Sequence, residues 1–151
     1  MLINLNKLKK PRKHKGAVAI EFALVMTFIL VPLFLGTVEL GRLLYQYNAL
    51  AKSVRDSTKY LSTVASTVPN YADYVSEAKC LAAHGNIGCT GSPIVSKLDD
   101  EKHIKIPPPQ TVSGIKVITV SVEGYEPDFI TTFFDAFNFN NISVSMRQQD
   151  S

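Results

Sequence analysis

Hydrophobic and polar positions follow three different rhythms along this chain, and each predicts a different kind of element. From Ala17 to Val38 the run is apolar on every side, with Glu21 its only ionisable group. About 20 residues at 1.5 Å each cover a hydrocarbon core of roughly 30 Å, so this run predicts a membrane-crossing helix. Beyond it, Leu40, Leu43, Leu44, Tyr47, Leu50, Ala51, Val54, Thr58, Leu61 and Ala65 recur at spacings of three and four. Arg42, Gln46, Lys52, Arg55, Asp56 and Lys59 occupy the other faces. The pattern predicts an amphipathic continuation of the same helix to about Ser66, roughly 75 Å in all, ended by Pro69-Asn70.

Asn70 is placed to cap a second helix whose apolar positions are Tyr71, Tyr74, Val75, Ala78, Leu81 and Ala82, with Gly85 as its stop. From Ser92 to Gln110 the chain is polar. Lys97 to Lys102 reads as a solvated turn or short helix, and Pro107-Pro108-Pro109 as an extended connector. The period then changes to two. Ile115 to Val122 is rich in β-branched residues, and Ile142, Val144 and Met146 alternate with Ser143, Ser145 and Arg147. Two strands paired antiparallel are predicted, with a turn at Gly124 and Pro127. The phenylalanine-rich stretch between them, Phe129 to Phe139, predicts a short helix over the sheet. The expected fold is α+β: a long N-terminal helix and a small C-terminal domain holding a second helix and an antiparallel β-hairpin. The expected divisions are a leader at 1–16, a span at 17–38, its amphipathic continuation at 39–68 and a small domain at 69–151.

Charge sharpens the picture at one point. The first sixteen residues carry six basic groups and no acids, whereas Ala17 to Ser151 carries ten basic groups against thirteen acids, within a total of +3. An excess of Lys and Arg before a span keeps that end in the cytoplasm and sends the rest across. No aromatic residue alternates with these lysines, so nucleic acid is not an expected partner and the lipid bilayer is. An ordinary secretory cleavage site is missing. Gly36-Thr37-Val38 lacks the small third residue, and Ala49-Leu50-Ala51 lies too far downstream. The small residue stands before the span, at Gly16, with Glu21 five positions on. Glu21 admits two readings. A charge at mid-bilayer costs about 3 kcal/mol, and either Glu21 is a helix-start acid reaching the headgroups, or it neutralises an amine freed on Ala17 by cleavage after Gly16. Pro32 leaves the carbonyl of Phe28 without its usual partner and predicts a kinked or loosened turn, which Gly36 and Gly41 would soften further.

Lys15-Gly16 followed by Ala17-Val18-Ala19-Ile20-Glu21-Phe22 resembles a class III or type IV prepilin leader: a basic segment, a glycine, then a hydrophobic helix with glutamate fifth. More narrowly, Gly16, Glu21-Phe22-Ala23, Pro32, Gly36, Glu39, Gly41, Leu50-Ala51 and Val54-Arg55 resemble the TadE-like family of tight-adherence (Flp) pilus assembly proteins. The resemblance covers roughly Lys13 to Tyr60. Many relatives carry a second arginine where this chain has Thr58-Lys59-Tyr60, so no role is transferred there. The resemblance implies a pilin-like architecture, cutting by a prepilin peptidase after Gly16, and a minor pseudopilin of the TadE or TadF branch, since the chain is shorter than TadG proteins. It also implies partners: the major Flp pilin, other minor pseudopilins and the inner-membrane assembly platform. The implied location is a bacterial inner membrane, with the C-terminal domain in the periplasm.

Cys80 and Cys89 are close in sequence and, across the membrane, in an oxidising compartment, which predicts a disulfide. The alternative is a metal site completed by His84 and His103, at spacings that match no strong zinc pattern. Catalytic motifs are not found: no G-x-S-x-G elbow, no H-E-x-x-H helix and no glycine-rich phosphate loop. The expectation is a protein that is not an enzyme and holds no cofactor. The competing reading is an uncleaved single-pass anchor whose outer domain binds a ligand or an envelope partner.

Overall fold

The computed structural model describes residues 15–64, 71–129 and 139–148. Helix α1 spans Lys15–Val64, α2 Tyr71–His84 and α3 Asp100–His103; strands β1, β2, β3 and β4 span Ile104–Lys105, Gln110–Val112, Ile115–Val122 and Ile142–Arg147. The α+β class read from the sequence is the observed one. The chain divides into two compact units, Met1–Val38 and Glu39–Ser151. Helix α1 contributes to both and runs without interruption through Pro32, Gly36 and Gly41.

The second unit is built around one apolar cluster. Leu50, Val54 and Leu61 of α1 meet Ala78, Ala82 and Ala83 of α2, together with Ile104, Ile118, Val120, Val122 and Ile142 of the sheet. Alternation puts Ile118, Val120 and Val122 on one face of β3, and β4 sets Met146, Val144 and Ile142 directly opposite them. Alanines on α2 let it approach α1 closely, and the Ser57 hydroxyl donates to the Ala78 carbonyl at 2.7 Å across that contact.

The buried arc of α1 differs from the apolar stripe. Leu43, Leu50, Val54, Thr58 and Leu61 are buried, but Leu40, Leu44 and Tyr47 face outward, and Glu39, Gln46, Ser53, Ser57 and Ser62 lie inside instead. The hydroxyls tolerate burial because they carry their own partners. Ser53 donates to Leu50 O, Thr58 to Val54 O and Ser62 to Lys59 O, at 2.6–2.9 Å. Gln46 is the exception on α1, since its Oε1 is buried with no hydrogen-bond partner among the described residues. An orphaned acceptor destabilises by about 1–3 kcal/mol. Gln46→Met, of similar length, is therefore expected to raise stability by about 1 kcal/mol in chemical denaturation, and a lowered midpoint would contradict this reading of the site.

The sheet is larger than the predicted hairpin. Strands β1 and β2 flank the Pro107-Pro108-Pro109 connector, where no strand was expected, and both pair antiparallel with β3. Val117 and Val122 each have a partner on both sides, so β1 and β2 must share the edge of β3 opposite β4. Ser113 and Gly114, both at positive φ (52° and 80°), form a two-residue loop that joins β2 to β3, a geometry that matches the twist of the strands it links. Helix α2 ends as predicted: Gly85 takes φ 74° and its N–H reaches Leu81 O at 3.0 Å. The predicted cap Asn70 and terminator Pro69 lie outside the described residues, as does most of the expected aromatic helix. Phe139, at its end, stacks on Tyr125 (centroids 6.0 Å) and meets Tyr47 edge-on at 5.7 Å.

Candidate membrane and processing segment

The first unit carries the predicted site residues on one helix. Gly16, Ala17, Glu21 and Phe22 fall in the opening turns of α1, and Ala17, Glu21 and Phe22 are all exposed, Phe22 at 61%. A helix this long and apolar can cross a membrane, and none of its apolar window is buried within the protein. An all-round apolar helix with no protein cover fits lipid as its solvent. The two threonines of the run are already satisfied: Thr27 Oγ1 donates to Ala23 O and Thr37 Oγ1 to Phe34 O, both at 2.8 Å. Glu21 is thus the polar side chain of the span that the helix does not satisfy, and among the described residues no cation is paired with it.

Gly16 is informative for what surrounds it. A Cβ built there would meet nothing within 4 Å, and the same holds at Gly41. Among the described residues, therefore, nothing places a steric demand for glycine at position 16.

In the second unit, Cys80 and Cys89 form a disulfide, Cα to Cα 4.7 Å, that closes the turn after α2. Asn86 holds the interior of that turn: its Oδ1 accepts the Thr90 N–H at 3.0 Å and its Nδ2 donates to Thr90 O at 2.8 Å. Ile94 N–H donates to Ala83 O at 2.8 Å and fastens the following segment to α2. With both sulfurs joined, the thiolates of the alternative metal site are used up. His84 Nδ1 lies 3.1 Å from Gly91 O, and buried His103 accepts the Asp99 N–H on its Nδ1 at 2.9 Å. Among the described residues no group of three His, Cys, Asp or Glu is placed to hold a metal ion.

Tyr60 donates its hydroxyl to Glu77 Oε2 and so ties α1 to α2. That bond, with partial burial and the carboxylate charge behind it, pushes the Tyr60 hydroxyl up to about 12. A raised phenol contributes its stabilisation fully below pH 10 and loses it as pH climbs from there toward 12. Position 60 is thus taken up by packing between the two helices. Nothing in its residue type announced this contact, because Glu77 is 17 residues away.

Shallow depressions mark the described surface of the second unit. One, about 490 Å³, lies between α1 and the end of α2 and is lined by Tyr45, Lys52, Asp56, Leu81 and Ile94 among others. The second, about 590 Å³, lies on the polar face of the sheet beside Lys105, Thr119 and Ser143. In the second, the Ser121 hydroxyl donates to Glu123 Oε1 at 3.0 Å.

No curated protein and no solved structure matches the chain significantly. One family model does match, and its bounds coincide with the segment singled out above, opening at the glycine before the apolar run and closing near the end of the amphipathic helix. Residues 16–58 match the family described as TadE-like protein, and to that extent the chain is similar to it.

Proposed function

We propose that this chain is a minor pseudopilin of the TadE-like kind, cut by a prepilin peptidase after Gly16 and required to assemble tight-adherence (Flp, type IV) pili. One observation carries the reading: the family match opens at Gly16, directly behind a purely basic segment and directly before an exposed apolar helix. In this reading the basic segment holds the N-terminus in the cytoplasm of a bacterial inner membrane. The second unit then stands in the periplasm, where its disulfide is stable. Cleavage leaves a new amine on Ala17, and Glu21 of this or a neighbouring subunit neutralises it during assembly. The partners are the peptidase, the major pilin, other minor pseudopilins and the membrane platform that drives assembly. The role is structural, with no reaction catalysed.

The test uses the open space around Gly16. Gly16→Leu is expected to leave the fold intact, because among the described residues nothing lies within 4 Å of a Cβ built there. The variant is expected to accumulate almost entirely with its sixteen-residue leader attached, and cells carrying it alone are expected to lose their filaments as a deletion strain does. Normal processing of Gly16→Leu, or filaments in the deletion strain, would reject the proposal.

A further inference from the structure

Helix α1 carries its charges unevenly around its axis where it leaves the apolar run. In sequence the run ends at Glu39, the next acid after Glu21. Yet the Glu39 side chain is only 2% exposed, turned into the second unit, and Gln46, two turns on along the same face, is buried with it. Over those turns α1 presents Leu40, Gly41, Leu44 and Tyr45 to its surroundings, with Tyr45 71% exposed. Arg42 is half-buried, and the next fully exposed ionisable group on the helix is Lys52.

Lipid meets only what is exposed, so the surface of α1 that it can touch holds no ionisable group between Glu21 and Arg42. That stretch, Phe22 to Gly41, is twenty residues. At 1.5 Å each it covers about 30 Å, the thickness of a hydrocarbon core. Glu21 then falls among the headgroups on one side, clear of the hydrocarbon where a charge is costly. Arg42 falls among those on the other, where a long side chain keeps its charge in the polar layer. A headgroup layer adds about 5–7 Å on each side, or about four to five residues of helix, which brings its outer limit to Tyr45 and Gln46. Tyrosine suits that depth, because its ring is apolar and its hydroxyl polar. A span counted from Ala17 to Val38 would instead leave Leu44 and Tyr45 about 9–10 Å clear of the hydrocarbon, with their apolar surface in water.

We infer that the hydrocarbon core lies over Phe22 to Gly41, and that Leu44 and Tyr45 seat the second unit in the lipid headgroup layer. The occupant of this surface is lipid, continuous with the lipid around the span. The inference rests on the reading of α1 as a membrane-crossing helix, and it holds with or without the leader.

The chain has no tryptophan, so a single one can report depth. The full chain carrying Phe28→Trp, Phe34→Trp, Tyr45→Trp or Lys52→Trp, each at an exposed position, is diluted into vesicles of phosphatidylcholine and phosphatidylglycerol. The lipids are brominated either near the headgroup or near the chain end. Phe28 and Phe34 lie about 5 Å and 4 Å to either side of the midpoint of Phe22 to Gly41, so chain-end bromine should quench both tryptophans to the same extent. Tyr45→Trp should be quenched several-fold more by headgroup-proximal bromine than by chain-end bromine, and Lys52→Trp by neither. If the core lay over Ala17 to Val38, Phe28→Trp would sit at the midpoint and Phe34→Trp about 10 Å from it. Much stronger chain-end quenching of Phe28→Trp than of Phe34→Trp, with Tyr45→Trp open to water, would overturn the inference and leave α1 a membrane helix. A Tyr45→Trp shielded from water yet quenched by neither lipid would overturn it too, by showing that protein covers this surface. Quenching at no position would reject the membrane reading itself, and the inference with it.

Discussion

Leu50→Ala is expected to lower the unfolding free energy of the second unit by about 3 kcal/mol, within the roughly 2–5 kcal/mol that such truncations cost in packed interiors. Leu50 has no exposed surface and belongs to the cluster shared by α1, α2 and the sheet. Removing its branched end takes apolar atoms out of contact and leaves a void that the helix backbone on either side is too stiff to fill. The informative control is six residues away on the same helix. Leu44 is 63% exposed, and Leu44→Ala is expected to change stability by no more than about 0.5 kcal/mol. Guanidinium unfolding of the two variants separates the arc that carries the fold from the arc that does not. Equal losses at both positions would show that the buried face of α1 has been placed wrongly.

The second large effect belongs to the disulfide. Cys80 and Cys89 are separated by nine positions, and closing a loop of that size removes about 2.7 kcal/mol of chain entropy from the unfolded state. Replacing both cysteines by serine is therefore expected to destabilise the second unit by about 2–3 kcal/mol, read as a shift in the denaturation midpoint against the oxidised protein. The turn keeps the Asn86 clamp to Thr90 and the Ile94 bond to Ala83, so the folded structure should persist in the variant and the penalty should fall on stability alone. An unchanged midpoint would mean that the loop stays equally ordered without its covalent closure.

Much of this architecture was legible because several signals were local. Gly85 could be read as the end of α2, since a positive φ is what a glycine in that place supplies. Strand β3 could be read from its β-branched run. Strand β2 could not: three residues are too few to show a period, and its existence depends on pairing with β3 across the Ser113-Gly114 turn. The apolar stripe on α1 misplaced Leu40, Leu44 and Tyr47, because counting apolar residues overlooks serines that satisfy their hydroxyls on nearby carbonyls and go inside. At the membrane segment, the basic cluster, Gly16 and Glu21 were readable from order alone. The open space that the described residues leave beside Gly16 was not.

The account rests on the boundary between the basic segment and the apolar helix being a place where the chain is cut. The most direct measurement is the N-terminal residue of the protein extracted from membranes of its own cells, by sequencing or intact mass. Ala17 is the predicted result, with Gly16 and everything before it gone. An intact Met1 on membrane-extracted protein would contradict the account and leave a single-pass anchor in its place.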